Sequence, residues 1–183
     1  MFLRDSIHFI SLMVILIQKN SLLNLNQCVI LSGCQMTESQ LKLSSYSDLV
    51  QVISCGELTS HSNPLSEITV VRNGVNASGV YAFASLMRWD MATVANALGT
   101  TSATLSRCKS KSLSSQTSEH AIEVARLSMI GINYFGCIEN WNAWLNTAHI
   151  QFNGRPPQLV LNSIRGRELI KNVIMQLQYG FTA

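Results

Sequence analysis

Apolar residues in the second half of the chain recur at intervals of three and four positions, the spacing that places them on one face of an α-helix. The longest such stripe consists of Ile122, Ala125, Met129 and Ile132. Ser114 supplies a hydroxyl that can cap the start of this helix, and Gly136 follows Phe135 as its stop. The pattern predicts one long helix whose apolar face packs in the core, with a dimer seam as the alternative use of that face.

Two further helical patterns follow the long one. The first, from Glu139 onward, is marked by Trp141, Trp144 and Leu145. The second is marked by Leu169, Val173, Ile174 and Leu177. Between them, Pro156 and Pro157 fix an extended backbone, and Gly166 is expected to break the apolar pattern that resumes after the prolines. The C-terminal part is therefore predicted to be mainly helical.

Residues 91–111 contain two short helical patterns on either side of a glycine. One face of the first helix carries Ala92, Ala95 and Leu98. Gly99 supplies the left-handed residue that ends this helix, Thr101 can cap the next one, and Leu105 is expected to point inward. Two helices joined in this way form a helix-turn-helix, whose second helix enters a DNA major groove. An ordinary surface hairpin of two helices is the alternative interpretation.

The outward face of the second helix is polar and basic. No acidic residue occurs between Asp90 and Glu119, whereas Arg107, Lys109 and Lys111 give this segment a charge of +3, equal to that of the whole chain. Positive charge concentrated on one segment favours nucleic acid as the partner. The residues expected to contact DNA are Thr101, Ser102, Ala103, Thr104, Ser106, Arg107, Lys109 and Lys111.

The first 35 residues carry a different pattern. An apolar run extends from Ile7 to Ile17, and Leu31-Ser32-Gly33-Cys34 has the form of the box at which bacterial lipoproteins are cleaved. The run is about 11 residues long, which is too short to span a bilayer, and a polar stretch separates it from the box. We therefore interpret residues 1–35 as an N-terminal extension, with a start of translation at Met36 as the hypothesis and a start at Met1 as the alternative.

The remaining patterns divide the chain into three parts. Residues 36–79 are rich in Ser, Asn and Thr and are expected to form a loosely structured lead-in with a short strand from Ile68 to Val71. Residues 80–136 are predicted to be the helix-turn-helix DNA-binding region, and residues 137–183 a small C-terminal domain. The predicted fold class is all-α: a helix-turn-helix bundle followed by a mainly helical domain.

Composition narrows the function classes further. Of the 183 residues, 47% are hydrophobic and 13% charged, which is typical of a globular chain. The five cysteines show no metal-like spacing and the four histidines are dispersed, so we expect reduced cysteines and no metal site. No glycine-rich phosphate loop occurs, and no spacing of Ser, His and acidic residues marks a catalytic set. We expect a cytoplasmic protein that is not an enzyme, needs no cofactor and does not contact a membrane.

Six separated motifs follow one another in the order found in a known protein family. They are Leu98-Gly99-x-Thr101-x-x-Thr104-Leu105-x-Arg107, Leu113-Ser114, Phe135-Gly136, Trp144-Leu145, Gly154-Arg155-Pro156-Pro157 and Tyr179-Gly180-x-x-Ala183. In this order the chain resembles the Xre/MbcA/ParS antitoxin family. The resemblance covers Leu86 to Ala183, about half of the chain.

The resemblance implies a bacterial type II antitoxin that is paired with a RES-domain toxin, an enzyme that consumes NAD. Family members bind their operon promoter through the helix-turn-helix and occlude the active site of the toxin with the C-terminal domain. The residues that the resemblance places in or near the toxin-binding region are Gly154, Arg155, Pro156, Pro157, Tyr179, Gly180 and Phe181. Because Gln176 and Gln178 stand where the family has charges, we expect toxin recognition to depend on shape and aromatic burial.

Three functions stay open at this point. The first is an antitoxin whose partners are a cognate RES-domain toxin, operator DNA and a second copy of the chain, since paired half-sites multiply DNA affinity. The second is a free-standing helix-turn-helix transcription regulator without a toxin partner. The third is a membrane-anchored lipoprotein or an enzyme whose site the sequence does not mark.

Overall fold

The computed structural model describes residues 48–109 and 111–180, all of which belong to one compact unit. In these ranges the chain forms eight α-helices and two short 3₁₀ helices, with β-pairing limited to isolated bridges. The α-helices are α1 (Leu49–Ile53), α2 (Pro64–Asn73), α3 (Ala77–Met87), α4 (Met91–Ala97), α5 (Ser102–Arg107), α6 (Ser115–Phe135), α7 (Ile138–Asn146) and α8 (Ile164–Gln178). The 3₁₀ helices are η1 (Ile150–Phe152) and η2 (Pro157–Val160). The predicted all-α class is confirmed for the described part of the chain.

Helix α6 lies at the centre and contacts α1, α2, α7 and α8. The Ser114 hydroxyl accepts a hydrogen bond from the Thr117 amide at its start, and Gly136 ends it in the left-handed conformation with φ of 86°. The predicted stripe lies in the core: Ile122, Ala125 and Ile132 are buried, and Met129 packs against them. Both the bounds and the core face of this helix are therefore as predicted.

Residues 48–79 are more ordered than the sequence suggested. The predicted strand from Ile68 to Val71 is wrong, because these residues lie inside α2. The Asn63 side chain caps α2 by accepting from the Leu65 amide, and Pro64 occupies the first helical position, where its fixed φ favours a helix. The interpretation of residues 36–79 as a loose lead-in is thus wrong for residues 48–79, and its first part lies outside the described residues.

Other N-terminal predictions fall outside the part of the chain that the structure describes. These are the extension over residues 1–35, the start at Met36 and the lipoprotein-like box. Among the described helices, none alone has both the length and the apolar composition to cross a membrane. Helices α6 and α7 reach that length and composition only as a pair, and they meet at a bend of 105°.

Helix α7 packs against α6 through an aromatic contact that requires a glycine. A Cβ atom on Gly131 of α6 would lie 2.4 Å from the Trp141 ring, so the ring rests directly on the α6 backbone. Trp141 is fully buried and stacks on Phe135 and Trp144. The pattern of Trp141, Trp144 and Leu145 therefore does mark an amphipathic helix, and that helix is anchored by Trp141 and Leu145.

Gly166 does not break the apolar pattern, contrary to the sequence prediction. It lies in the first turn of α8, and its amide donates to the hydroxyl of the capping residue Ser163 at 3.1 Å. A Cβ on Gly166 would lie 1.9 Å from the Val160 carbonyl oxygen. This glycine is therefore required by the close approach of α8 to η2, a contact between two elements that the apolar pattern of one helix does not encode.

Helices α6 and α8 are joined by an ion pair with one buried partner. Arg167 of α8 is only 5% exposed, and one of its amino groups pairs with the Glu123 carboxylate of α6. The other amino group donates to the Leu161 carbonyl oxygen at 2.8 Å. The guanidinium thus ties α8 both to the central helix and to the loop that precedes α8.

Candidate nucleic-acid interface and C-terminal surface

Helices α4 and α5 are joined by a tight turn, as the sequence predicted. Helix α4 ends at Ala97, Leu98 caps it, Gly99 follows with φ of 65°, and α5 begins directly after Thr101. The Thr101 hydroxyl caps α5 by accepting from the Thr104 amide at 3.2 Å. At the other end of the pair, the Asp90 carboxylate caps α4 by accepting from the Thr93 amide at 2.7 Å.

The turn is fixed from the inside by α6. Leu105 is fully buried, and Ala95 and Leu98 are buried with it. The predicted packing face of α4 fails only at Ala92, which is exposed. The His120 ring of α6 donates from Nδ1 to the Leu98 carbonyl oxygen at 3.1 Å and lies against Gly99. The orientation of α5 is therefore set by Leu105, the glycine turn and His120 together.

The outward side of this helix pair carries the predicted polar and basic residues. Those that are exposed are Thr101, Ser102, Ala103, Ser106, Arg107, Lys109 and Lys111, whereas Thr104 is half-buried. No described carboxylate forms an ion pair with Arg107, Lys109 or Lys111. Three cations without an acidic partner create a positive surface that attracts polyanions. We call this surface the α5 basic face.

The segment after α5 is held against the start of α3. The Ala77 amide donates to the Lys111 carbonyl oxygen at 3.1 Å, and the Leu113 amide donates to the Val75 carbonyl oxygen at 2.9 Å. The Lys109 ammonium lies 6.0 Å from the centre of the Tyr81 ring, within reach of a cation–π attraction. Backbone pairing therefore fixes the last part of the α5 basic face although it follows the helix.

A hydrogen-bonded carboxylate lies at the start of α4. The hydroxyl and the amide of Thr93 donate hydrogen bonds to Asp90 and lower the pKa of its carboxyl below the ordinary value. Asp90 therefore stays ionised at neutral pH, at the N-terminus of α4, where a negative charge is favourable.

The segment of the predicted Gly154-Arg155-Pro156-Pro157 motif forms a compact turn between α7 and α8. The His149 amide donates to the Arg155 carbonyl oxygen at 3.3 Å, and the Gly154 amide donates to the His149 carbonyl oxygen at 3.0 Å. Gly154 adopts φ of 71°. Gly154 and Arg155 are exposed, Pro156 is half-buried, and Pro157 is buried at the start of η2. Only the first half of the motif is therefore open to a partner.

An aromatic cluster that the sequence did not reveal supports this turn. The His149 ring stacks on Trp144 at 5.0 Å and donates from Nε2 to the Trp144 carbonyl oxygen at 3.0 Å. Phe152 of η1 meets Trp144 edge to face at 6.0 Å. Sequence spacing marked the two tryptophans of α7, but it could not show that His149 and Phe152 both pack against the Trp144 ring.

The predicted C-terminal residues lie at the end of α8. The Tyr179 side chain is 70% exposed directly after the helix, and Gly180 follows with φ of 72°. Phe181 lies outside the described residues. No hydrogen bond or ring contact among the described residues joins Tyr179 to the turn at residues 154–157. The structure thus places the two parts of the predicted toxin-binding set directly after α8 and in the turn that precedes it.

Helix α8 also exposes apolar side chains, of which the sequence pattern included only Leu169. The exposed apolar residues of α8 are Ile164, Leu169 and Met175. With 3.6 residues per turn, Ile164 and Met175 fall on the same side of the helix as Tyr179, and the exposed Glu168 and Lys171 lie between them on that side. For Ile164 and Met175, the available signal was their position opposite the buried Ile170, Val173 and Ile174. We call Ile164, Met175 and Tyr179 the α8 apolar stripe.

Comparison with known proteins does not assign a family. No protein-family model matches the chain, and no curated protein matches it. Among the described residues, no group of three or more His, Cys, Asp or Glu side chains is arranged to hold a metal ion. The α5 basic face and the α8 apolar stripe are therefore the structural features that bear on function.

Proposed function

We propose that this protein is an antitoxin that binds DNA through the α5 basic face and occludes the active site of a RES-domain, NAD-consuming toxin with its C-terminal region. The observation that carries the proposal is the presence of two different exposed surfaces on one compact unit. One carries cations that pair with no carboxylate in the described part of the chain, and the other carries the exposed apolar side chains of Ile164 and Met175 and the exposed Tyr179. The order of the six sequence motifs links these surfaces to an antitoxin.

The α5 basic face has the chemistry that a DNA contact needs. Small side chains at Ser102, Ala103 and Ser106 let the helix approach base edges closely, while Lys109 and Lys111 can neutralise phosphates. The buried Leu105 and the His120 hydrogen bond hold the helix from behind. A second copy of the chain would place a second α5 one helical turn of DNA away.

The α8 apolar stripe has the chemistry of a protein contact. Exposed apolar groups on one side of a helix mark interaction sites, and tyrosine is enriched among the residues that dominate binding energy. The charges of Arg165 and Glu168 on α8 pair with each other at 2.8 Å. Recognition through the stripe would therefore combine apolar burial with the charge of the exposed Lys171 on the same side of α8.

The test uses the full chain, a RES-domain protein encoded by the adjacent gene, and the DNA upstream of the two genes. We expect the chain to co-purify with the toxin, to abolish its consumption of NAD, and to shift the upstream DNA. A variant with Arg107, Lys109 and Lys111 changed to alanine should lose the DNA shift and keep inhibition. Lys171→Ala, which removes an exposed cation from α8, is the matched charge control and should keep the DNA shift.

The outcomes separate the two candidate functions. DNA binding without any effect on the toxin would leave a free-standing transcription regulator. If the triple variant still inhibits the toxin and binds the upstream DNA as well as the wild type does, the α5 basic face does not contact DNA. If the wild-type chain neither inhibits the toxin nor binds the DNA, the proposal is wrong.

A further inference from the structure

The Arg107 guanidinium is folded back along α5. Although Arg107 is the last residue of the helix, its Nε donates to the Ala103 carbonyl oxygen at 3.4 Å and one amino nitrogen donates to the Thr104 hydroxyl at 3.4 Å. The charged head therefore lies one turn nearer the start of α5 than its own Cα atom. In a helix-turn-helix, the N-terminal residues of the second helix are those that reach the bases.

The Thr104 hydroxyl connects this guanidinium to the cap of the helix. Its Oγ1 atom lies 2.9 Å from the Thr101 Oγ1 atom, which also accepts the Thr104 amide at 3.2 Å. A hydroxyl offers one donor and two acceptor positions. Thr104 can therefore donate to Thr101 and accept from Arg107 at the same time, so that the three side chains form one hydrogen-bonded row along α5.

We propose that Thr104 is a positioning residue that holds the Arg107 guanidinium ready to contact a guanine in the major groove, an inference that rests on the proposed DNA-binding function. Arginine reads guanine by donating two parallel hydrogen bonds to O6 and N7, which requires a defined orientation of its planar head. A free arginine loses side-chain entropy when it is fixed in this way. Restricting the head before binding reduces that loss.

The geometry leaves donors of Arg107 available for a base while the guanidinium is held. A guanidinium has five N–H donors. The bonds to Ala103 and Thr104 use Nε and one hydrogen of one amino nitrogen, so the two amino nitrogens keep hydrogens that can be donated to O6 and N7 of guanine. Thr104 is itself half-buried, and its hydroxyl is already engaged by Thr101. Thr104 thus acts on DNA through Arg107, whereas Ser102 and Ser106 are free to contact DNA directly.

The experiment measures base preference with a pool of DNA duplexes that carry 20 randomised base pairs. The full wild-type chain should enrich sequences with a guanine at one position of each half-site. Thr104→Val keeps the side-chain shape and removes the hydroxyl, so we expect preference for that guanine to fall about two- to tenfold, the effect of one lost hydrogen bond. Thr104→Ser keeps the hydroxyl and should retain the wild-type preference.

A double-mutant cycle with Arg107→Ala shows whether Thr104 acts through the arginine. In the Arg107→Ala background, Thr104→Val should cause no further loss of guanine preference, and binding to non-enriched duplexes should be equal for the two proteins. Thermal unfolding by circular dichroism checks that each variant folds.

Three results would overturn the inference in distinguishable ways. If Thr104→Val keeps the full guanine preference, the positioning role is wrong while DNA binding stands. If Thr104→Val lowers the preference equally with and without Arg107, Thr104 contacts the DNA itself. If the wild-type chain enriches no sequence, the inference and the proposed DNA-binding function both fail.

Discussion

Single residues fix the closest helix contacts in this protein. Gly131 lets the Trp141 ring lie on the α6 backbone, and Gly166 lets α8 approach the Val160 carbonyl oxygen of η2. At each place a methyl group would occupy space that is already filled. Close packing of this kind makes the interior intolerant of added volume, because interiors are packed as densely as organic crystals.

Gly131→Ala is expected to destabilise the protein although alanine favours a helix. The new methyl group would lie 2.4 Å from the Trp141 ring and force α6 and α7 apart. Overpacking of a core costs about 1 to 3 kcal/mol, partly offset by about 1 kcal/mol of helix propensity. Urea unfolding measures the change in free energy. Asn133→Ala, at an exposed position of the same helix, is the control and should be neutral or stabilising. A Gly131→Ala protein as stable as this control would contradict the close contact.

Asp48 is expected to contribute to stability above acidic pH only. Although partial burial raises the pKa of its carboxyl, hydrogen bonds from Ser60, Gln51 and Val50 outweigh that effect and lower the pKa below 3.8, the ordinary value. A pKa that is lower in the folded state stabilises the fold above the unfolded pKa, and the contribution is lost as the pH falls through the folded pKa.

Asp48→Asn tests this dependence. We expect the free energy of unfolding of the wild type to decrease more steeply than that of the variant as the pH falls below about 4. Equal slopes for the two proteins in urea titrations over this pH range would show that the hydrogen-bonded carboxylate does not stabilise the fold. The measurement at neutral pH supplies the reference, where the variant should be the less stable protein.

The sequence predicted those residues whose role depends on their immediate neighbours. Ser114, Thr101 and Gly99 were identified because capping and turn chemistry act within four residues. Gly166 was misinterpreted and Gly131 overlooked, since the atoms that require a glycine belong to other elements of the fold. His120 gave no signal either, because its partner, the Leu98 carbonyl, is 22 residues away.

At the scale of elements, α5 depends on its surroundings for its structure. Its six residues are too few to form a stable helix alone, because nucleation is unfavourable in short segments. The Thr101 cap, the buried Leu105 and the neighbouring turn supply the missing stabilisation. Since one side of α5 is used for this purpose, the opposite side is left to small polar residues and Arg107.

The ion pair between α6 and α8 is expected to matter more than the ion pair within α8. Glu123→Ala removes the charged partner of the buried Arg167 and leaves it with the Leu161 carbonyl oxygen. Breaking a buried pair costs about 3 to 5 kcal/mol. Because Glu123 is itself 40% exposed, water compensates in part, and we expect about 1 to 3 kcal/mol.

Glu168→Ala is the matched control for this prediction. Glu168 pairs with Arg165 at 2.8 Å, but both side chains are more than half exposed. Exposed pairs contribute about 0 to 1 kcal/mol. Urea unfolding of the two variants should therefore show a clearly larger loss for Glu123→Ala. Equal losses would mean that Arg167 is as well solvated as Arg165.

Element types were predictable where apolar residues recurred at helical spacing, as in α6, α7 and most of α8. The prediction failed at α2, where a strand was expected from Ile68 to Val71. Asn63 and Pro64 favour a helix start at this place, and Glu67 of α2 pairs with Arg126 of α6. The local cap was therefore a signal that the prediction overlooked, and the ion pair with α6 adds a tertiary contact that the segment's own pattern does not show.

At the scale of the whole molecule, α6 supports both candidate surfaces. His120 holds the turn before α5, and Glu123, one turn further along α6, holds α8 through Arg167. Asn142 of α7 also bridges to the end of α3, since it accepts from the Trp89 indole at 2.7 Å and donates to the Met87 carbonyl oxygen at 2.9 Å. These contacts explain why the two surfaces belong to one compact unit.

The two surfaces should nevertheless be separable by truncation. Deleting residues 178–183 removes the exposed Tyr179 and leaves the α8 contacts of Arg167, Ile170 and Ile174 in place. A tyrosine that dominates an interface contributes about 2 kcal/mol or more, which corresponds to about a 30-fold loss of affinity. We therefore expect inhibition of NAD consumption by the RES-domain toxin to weaken by at least that factor, with affinity for the upstream DNA unchanged.

Tyr179→Ala in the full-length chain separates the ring from the rest of the tail, and Tyr179→Phe keeps the ring and should inhibit almost as well as the wild type. Titration of the toxin with each variant gives the inhibition constant, and a gel shift on the upstream DNA gives the affinity for DNA.

If the truncated chain inhibits the toxin as strongly as the full chain, the surface that occludes the toxin does not include the end of α8. A truncated chain that loses both activities would show that the tail supports the fold, because the α5 basic face is held by α4, α5 and the N-terminal part of α6.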